Sequence, residues 1–442
     1  MRIFMLSWEY PPRVIGGLAR HVHQLSVAMA RMGHDVHVFT CGEVSDSKSA
    51  EYGNGALKNG NGAVTCEEGV TVHRVLPSGA TPRDFVTWVM QLNFDLLEAA
   101  IRESEANGPC EIVHAHDWLT AYSAKALKHA YRIPLVATIH ATEWGRNHGL
   151  HNDLQRYISD EEWYLCYESW RVICCSDYMR GELKWVFQLP EDKIRVIPNG
   201  VDPEEFEVDS DINLSAFRSK YAAPDEKMIF FIGRLVHEKG AHILVEATPK
   251  ILHYWDKAKI VIAGKGPQEA YLKERAQALG VSGRIYFTGY VDDNTRNLLY
   301  HCADIAVFPS LYEPFGITAL EAMACGVPVV VSDVGGLAEV VRHGLTGWKV
   351  YAGNPGSLAD GVLHLLYEPK LADKLRQNAL KIVESKYNWP SIAEETIRVY
   401  QEILDQYNRS EWSNIRREPV RTNATRMVAY RQFMEDGRYA ST

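Results

Sequence analysis

The chain predicts an α/β fold: two doubly wound domains with parallel sheets, facing each other across a cleft. Three observations point to it. Short β-branched runs alternate with longer amphipathic segments along most of the 442 residues. The short runs are nearly continuously apolar, as parallel strands covered on both faces are. The alternation pauses at Asn199-Gly200-Val201-Asp202-Pro203 and then starts afresh, so one chain carries two successive βα arrays.

In the first array the predicted strands are Arg2–Ser7, Asp35–Thr40, Val70–Val75, Glu111–His114, Leu135–Ile139 and Arg171–Cys175. Leu18–Met32, Arg83–Ala106 and Trp118–Tyr131 are the predicted helices between them. Gly42–Gly69 is rich in Gly, Asn, Ser and Glu and is predicted to be a mobile loop with little structure. In the second array Lys227–Ile232, Lys259–Ala263, Arg284–Thr288, Ile305–Phe308 and Val327–Val331 are predicted strands, with helices at Pro267–Leu279 and Phe315–Cys325. Residues 1–200 make the first domain and 201–389 the second. After Tyr387-Asn388-Trp389-Pro390 the chain turns helical, and 390–442 are predicted to cross back onto the first domain. The stretch from Arg409 to Arg438 holds seven arginines among Trp412, Tyr430 and Phe433. It is read as a terminal helix packed on that domain, ahead of a surface for a polyanion or membrane.

Composition narrows the function. A hydrophobic content of 46% and charged content of 23% are ordinary for a globular chain. A net charge of −9 argues against a general nucleic-acid binder. No apolar run reaches the roughly 20 residues that span a bilayer. Met1-Arg2 leads into only four apolar residues before Glu9, Pro11 and Pro12, too few for a signal peptide. The eight cysteines form no CxxC pair and read as buried thiols of a cytoplasmic protein.

The most telling segment is Glu313-Pro-Phe-Gly-Ile-Thr-Ala-Leu-Glu321. Gly316 opens an apolar helix whose first N–H groups have no intrahelical partner, a setting that suits a diphosphate. Glu321, two turns further on and read as lying on the same side of the helix as Glu313, suits the paired hydroxyls of a ribose. Glu313 suits those of a sugar. Gly16-Gly17, after the first strand, lets the backbone approach a phosphate at the next helix start. Arg234 and Lys239 follow the first strand of the second array and can neutralise a departing diphosphate. Gly264, after the next strand, is assigned a minor part in binding base or phosphates, and Tyr290 in enclosing the base through backbone contacts. His140, after the fifth strand, suits contact with a sugar hydroxyl; a hydrogen-bonded core histidine is the plainer reading. His114 and His116 share a strand face, but nothing at ligand spacing completes a metal site, so no metal is expected.

Together these residues resemble a retaining glycosyltransferase of family 4, with the GT-B arrangement of two Rossmann-like domains. The resemblance rests on the early double glycine, the histidine after the fifth strand, Gly233-Arg…Glu-Lys239-Gly and Glu313-x7-Glu321, in that order. Within the family, Ser7-Trp-Glu-Tyr-Pro-Pro-Arg-Val-Ile-Gly-Gly-Leu-Ala-Arg-His and His114-Ala-His-Asp-Trp118 are similar to bacterial glycogen synthases and α-1,4-glucan glucosyltransferases. One position departs: Val14 stands where glycogen synthases usually carry Lys, with Arg13 next to it.

The resemblance implies a nucleotide-sugar donor, ADP-glucose or UDP-glucose, a glucan acceptor and no cofactor. It implies diphosphate contact at Gly17 and charge stabilisation by Arg234 and Lys239. It implies sugar contacts from Glu313, Phe315 and Gly316, and ribose contact from Glu321. His140 would lie near the sugar 6-hydroxyl, and Asp117 would face donor sugar or acceptor. Other readings stay open. They are a different acceptor (glucose 1-phosphate, sucrose-type or lipid-linked glycan), a nucleotide-sugar 2-epimerase, and a silent binding subunit. Donor base, chain length and self-association are left open as well.

Overall fold

A computed structural model describes residues 1–42, 63–77, 81–209 and 211–414. The first lobe is built on β1 Arg2–Ser7, β2 Asp35–Cys41, β3 Ala63–Glu67, β4 Val70–Val75, β5 Ile112–His116, β6 Leu135–Ile139, β7 Arg171–Cys174 and β8 Ile194–Val196. They form one sheet in the order β3-β4-β2-β1-β5-β6-β7-β8. Only the β3–β4 pairing is antiparallel. The second lobe carries β9 Lys227–Ile232, β10 Ala258–Ala263, β11 Ile285–Gly289, β12 Ile305–Phe308, β13 Val329–Ser332 and β14 Trp348–Val350. Its order is β11-β10-β9-β12-β13-β14, parallel throughout.

The strand order locates the crevice. β1 lies between β2 and β5, and β9 between β10 and β12, so each sheet reverses its winding there. Open parallel sheets bind ligands beyond the carboxyl ends of the strands at such a point. The strand centres explain the near-continuous apolar runs. Ile3–Leu6 and Met228–Phe230 are fully buried, with helices over both faces.

Several expectations need correction. Ala63–Glu67, inside the predicted loop Gly42–Gly69, is the antiparallel edge strand β3. Its side chains alternate between half-buried and exposed, and Glu68-Gly69, both at positive φ, turn it into β4. The glycine- and asparagine-rich surroundings hid this short alternation; residues 43–62 lie outside the described residues. β8 and β14 are three residues each, too short to show a period. Trp118–Tyr131 is a 3-10 turn, Trp118–Thr120, followed by a helix from Ala121. The helix predicted from Phe315 begins at Ile317, because Gly316 takes a left-handed φ of 109°. Not every thiol is buried: Cys66 on β3 is exposed and Cys325 half-buried.

The chain does cross back. Asn388 caps the helix Trp389–Arg409, with Pro390 in its first turn. Its apolar stripe of Trp389, Ile392, Ile397, Tyr400 and Ile403 packs with Leu18, Val22 and Leu25 of the helix Gly17–Arg31. Each such side chain contributes about 1.5–3 kcal/mol on burial, enough to tie the C-terminal segment to the first lobe. Residues 415–442, with most of the arginine-rich tail, lie outside the described residues. Among the described residues no helix is long and apolar enough to cross a membrane.

Candidate functional site

On the first lobe the loop after β1 is shaped by a residue that sequence reasoning missed. Glu9, 3% exposed, accepts the backbone N–H of Ile15 (2.7 Å) and of Gly16 (3.0 Å) through Oε2. This holds Gly16 at the start of the helix Gly17–Arg31, which has neither a side-chain cap nor an acidic residue in its first turn. The N–H groups of the first turn are left without a side-chain partner, with the Glu9 carboxylate behind Gly16. A side chain at Gly16 would meet nothing within 4 Å, whereas a Cβ on Gly17 would come within 2.8 Å of Ile317 on the second lobe. Arg13 does not fill the place beside it held by Val14. Its guanidinium lies over Trp8 and Trp88, 5.5 and 5.9 Å from their ring centres.

On the second lobe the loop after β9 is laced to the segment after β12. Glu238 O accepts the N–H of Leu311 at 2.8 Å. Any side chain on Gly240 (φ +70°) would overlap the Pro309 carbonyl. These contacts bring Lys239 Nζ to 2.6 Å from Glu313 Oε2, which also accepts from Ser310 Oγ at 3.2 Å. Arg234 is more loosely held, half-exposed and 3.5 Å from Glu238. Gly336 N–H donates to Glu313 O at 2.9 Å and fixes the turn through Pro314 and Phe315. Glu313 thus sits on a turn rather than on the helix that carries Glu321. The two carboxylates have different partners, not a shared helix side. Gly264 (φ +131°) packs on Gly233, whose carbonyl a side chain there would overlap. Tyr290 is exposed, just past the end of β11.

The lobes meet around these groups. Arg20, from the first helix, donates to Glu321 Oε1 at 2.7 Å and to Asp293 Oδ1 at 2.5 Å. Tyr300 Oη donates to Glu321 Oε2 at 3.0 Å. Ser176 Oγ, after β7, donates to Pro314 O at 2.7 Å. Tyr312 Oη donates to Glu182 Oε1 (2.9 Å), which also accepts from Thr142 Oγ1 (2.5 Å). This chain of bonds ties the segment that carries Glu313 to the loop after His140. Arg20, Glu182 and Tyr312 carry no local motif.

His140 belongs to a buried stack of imidazoles. Its backbone N–H donates to Asp117 Oδ1 at 2.8 Å, and its Nε2 lies 3.3 Å from His116 Nδ1. His21 packs on it with ring centres 4.6 Å apart, and its Nδ1 is 2.7 Å from Asn199 Oδ1. His114 bridges Tyr400 Oη (2.6 Å) and Thr138 Oγ1 (2.7 Å). His114 and His116 do not act as a pair: His116 groups instead with His21 and His140, their ring nitrogens within 4.8 Å of one another.

Burial shifts the titration of the whole group. It pushes Asp117 up to about 6, against the Arg146 charge and the His140 N–H. It holds His21, His114 and His116 well below the ordinary imidazole value and His140 at about 3. The unfolded chain protonates these histidines near pH 6.5, whereas the folded chain keeps them neutral. Stability is therefore intact above that pH and lost as pH falls from it. Asp117 acts oppositely between about 4 and 6, but one carboxyl is outweighed by four imidazoles. Chemical denaturation from pH 7.5 to 5 should show stability falling steeply below 6.5. The double variant His114→Gln/His116→Gln should have a flatter slope; an unchanged slope would contradict this.

The comparisons with known proteins agree with this geometry. The family profile described as "Glycosyltransferase Family 4" matches residues 15–205, and "Glycosyl transferases group 1" matches residues 215–382. A glycosyltransferase of Methanocaldococcus jannaschii is 41% identical over 92% of this chain and all of its own. The glycogen synthase of Mycobacterium tuberculosis is 36% identical over 90% of this chain and 94% of its own. Among solved structures, the sucrose-phosphate synthase of Thermosynechococcus elongatus superposes with a TM-score of 0.74 at 24% identity, covering 92% of this chain and 99% of that one. With two facing parallel-sheet lobes and relatives of this closeness, the chain belongs to glycosyltransferase family 4. It is a nucleotide-sugar-dependent hexosyltransferase of the GT-B fold, close to glycogen synthase.

Proposed function

We propose that the protein moves glucose from ADP-glucose or UDP-glucose to the 4-hydroxyl of an α-1,4-glucan, retaining the anomeric configuration and using no divalent metal. In this reading residues 201–389 hold the donor. Residues 1–200, with the helix Trp389–Arg409 crossing back, present the acceptor. The observation that carries it is the Lys239–Glu313 pair, 2.6 Å apart at the carboxyl ends of β9 and β12. The start of the first-lobe helix at Gly17 packs on Ile317, which follows the Glu313 turn. Lys239 and Arg234 neutralise the leaving diphosphate. Glu313 and His140 position the hexose, with Phe315 and Gly316 lending backbone. Glu321 takes the ribose, and Gly264 and Tyr290 border the base. Asp117 orients His140 through its backbone and faces the sugar.

Retaining glycosidases place a nucleophilic carboxylate roughly 5 Å from the acid. Glu313 is engaged by Lys239 and Ser310, and Asp117 by the His140 N–H. These bonds favour a front-face route in which the departing diphosphate takes the acceptor's proton. The protein then contributes mainly positioning and charge stabilisation.

The test is proton NMR of the product formed from a maltooligosaccharide, with and without EDTA. The expected outcome is an α-1,4 linkage and an initial rate unchanged by EDTA. A β product, or a rate abolished by EDTA and restored by a divalent metal, would contradict the reading. Transfer to glucose 1-phosphate in place of the glucan would keep the mechanism and change the acceptor.

A further inference from the structure

At the opposite end of the first sheet from the cleft lies a second histidine cluster, this one completed by a carboxylate. His37 is on β2 and His73 on β4. Phe39 pairs with His73 in register, and His37, two residues before Phe39, shares its face. Glu103 reaches them from the last turns of the helix Phe85–Asn107. Arg2 and Asp35, which begin β1 and β2, complete the surroundings. This is the amino end of the strands, away from Gly16 and Gly17.

We propose that His37, His73 and Glu103 bind a single zinc-class divalent cation. His37 Nδ1 lies 3.1 Å from His73 Nε2 and 3.7 Å from Glu103 Oε1, and His73 Nε2 is 4.0 Å from Glu103 Oε2. A four-coordinate zinc holds nitrogen and oxygen ligands at about 2.0–2.2 Å, which sets adjacent ligand atoms about 3.4 Å apart. With one ligand atom from each residue, all three lie within 4.8 Å of one another, so the side chains close around an ion with shifts on the order of an ångström.

The surroundings fit as well. His37 Nε2 is 3.0 Å from Asp35 Oδ1. An Nε2–H donated there leaves the Nδ1 lone pair facing His73 and Glu103, the carboxylate–histidine–metal arrangement. Arg2 donates to Glu103 Oε1, so Oε2 is the oxygen left for the ion. With Arg2, Asp35 and Glu103 the local charge is −1 before a cation enters. His37 and His73 are both buried, and His73 is stacked on Phe39 at 4.3 Å between ring centres. A cavity of about 200 Å³ opens beside them, lined by His73 and Glu103 with Asp95, Glu98, Arg74 and Arg102 and by apolar side chains. It gives an entry path and room for a water as fourth ligand. The ion would pin the β2–β4 edge to its covering helix and would not take part in transfer.

The test uses the full chain, stripped with a strong chelator and equilibrated with buffered micromolar ZnCl₂. Bound zinc is measured by elemental analysis after desalting. Wild type should hold about one equivalent. His73→Phe, which keeps the stack on Phe39, should hold at least tenfold less, and His116→Gln as much as wild type. Cobalt loading should give visible bands of a low-coordinate site in wild type that His73→Phe lacks. Zinc should raise the melting temperature of wild type and of His116→Gln but not of His73→Phe, with wild-type initial transfer rates unchanged. If His73→Phe does not fold, Glu103→Gln serves in its place. Wild type without bound zinc, or His73→Phe or Glu103→Gln retaining as much as wild type, would overturn the proposal.

Discussion

Lys239→Ala is expected to lower kcat by about 10²–10³-fold, the usual cost of removing one preorganised group that stabilises transition-state charge. Donor affinity should fall less than about tenfold. The diphosphate gains most of its charge as the glycosidic bond breaks, so a cation fixed beside it interacts more strongly in the transition state than with bound donor. Lys239 is fixed: it is 25% exposed and anchored on Glu313, while the loop around it is bonded to Leu311. Arg234, half-exposed with a 3.5 Å contact to Glu238 alone, should show a smaller loss. The variant also strands the Glu313 carboxylate, 10% exposed, so Lys239→Ala/Glu313→Gln is the needed companion. If the double variant regained most of the lost kcat, the defect of the single one would be the stranded carboxylate. An unchanged kcat in Lys239→Ala would remove it from the charge-stabilising role.

Glu321→Ala is expected to do two separable things. Arg296, 3.8 Å from Glu321, keeps its nearer partner Asp293 at 2.9 Å, so removing the carboxylate costs mainly the bonds from Arg20 and Tyr300, about 1.5–3 kcal/mol. It also removes the acceptor for the ribose hydroxyls. Hydrogen bonds to a charged group contribute about 1.5–3 kcal/mol, so donor KM should rise about 10–100-fold. Arg20→Met separates the effects. It frees Glu321 Oε1 and breaks the cross-lobe ion pair, which is 27% exposed on the arginine side. Glu321 keeps Tyr300 and Arg296 as partners and stays in place, so donor KM should stay within about threefold. An equal rise in KM for both variants would make Glu321 a link between lobes, not a ribose anchor.

The part of this site that is contiguous in the chain was legible, and the part built across lobes was not. The glycine pair after β1, the Gly233–Gly240 loop and the Glu313–Glu321 segment each combine a strand end, a glycine and a charged residue within about ten positions. The order of strands fixed where those ends converge. Arg20 and Glu321 are 301 positions apart, and nothing local to either marks the pairing. His21 reads as one more residue of an amphipathic helix until Asn199 and β6 are folded against it. Glu9 reads as a solvated acid until its two backbone bonds are seen. β3 was lost to its glycine-rich neighbourhood, β8 and β14 to their shortness. The helix Asp153–Glu168 buries only a narrow stripe, so its period is faint against charges on the other faces.

The central claim is that one cleft brings a cationic pair and an acidic pair around a single activated hexose destined for a glucan. It is tested most directly by a radiolabelled donor screen with the purified chain, crossing ADP-, UDP-, GDP- and dTDP-glucose with maltooligosaccharides, glycogen, glucose 1-phosphate and no acceptor. The expected result is label transferred to the α-glucan from ADP-glucose or UDP-glucose, with release of the nucleotide diphosphate dependent on the acceptor. Donor breakdown that is the same with and without any acceptor, or no turnover of any of the four donors, would contradict it.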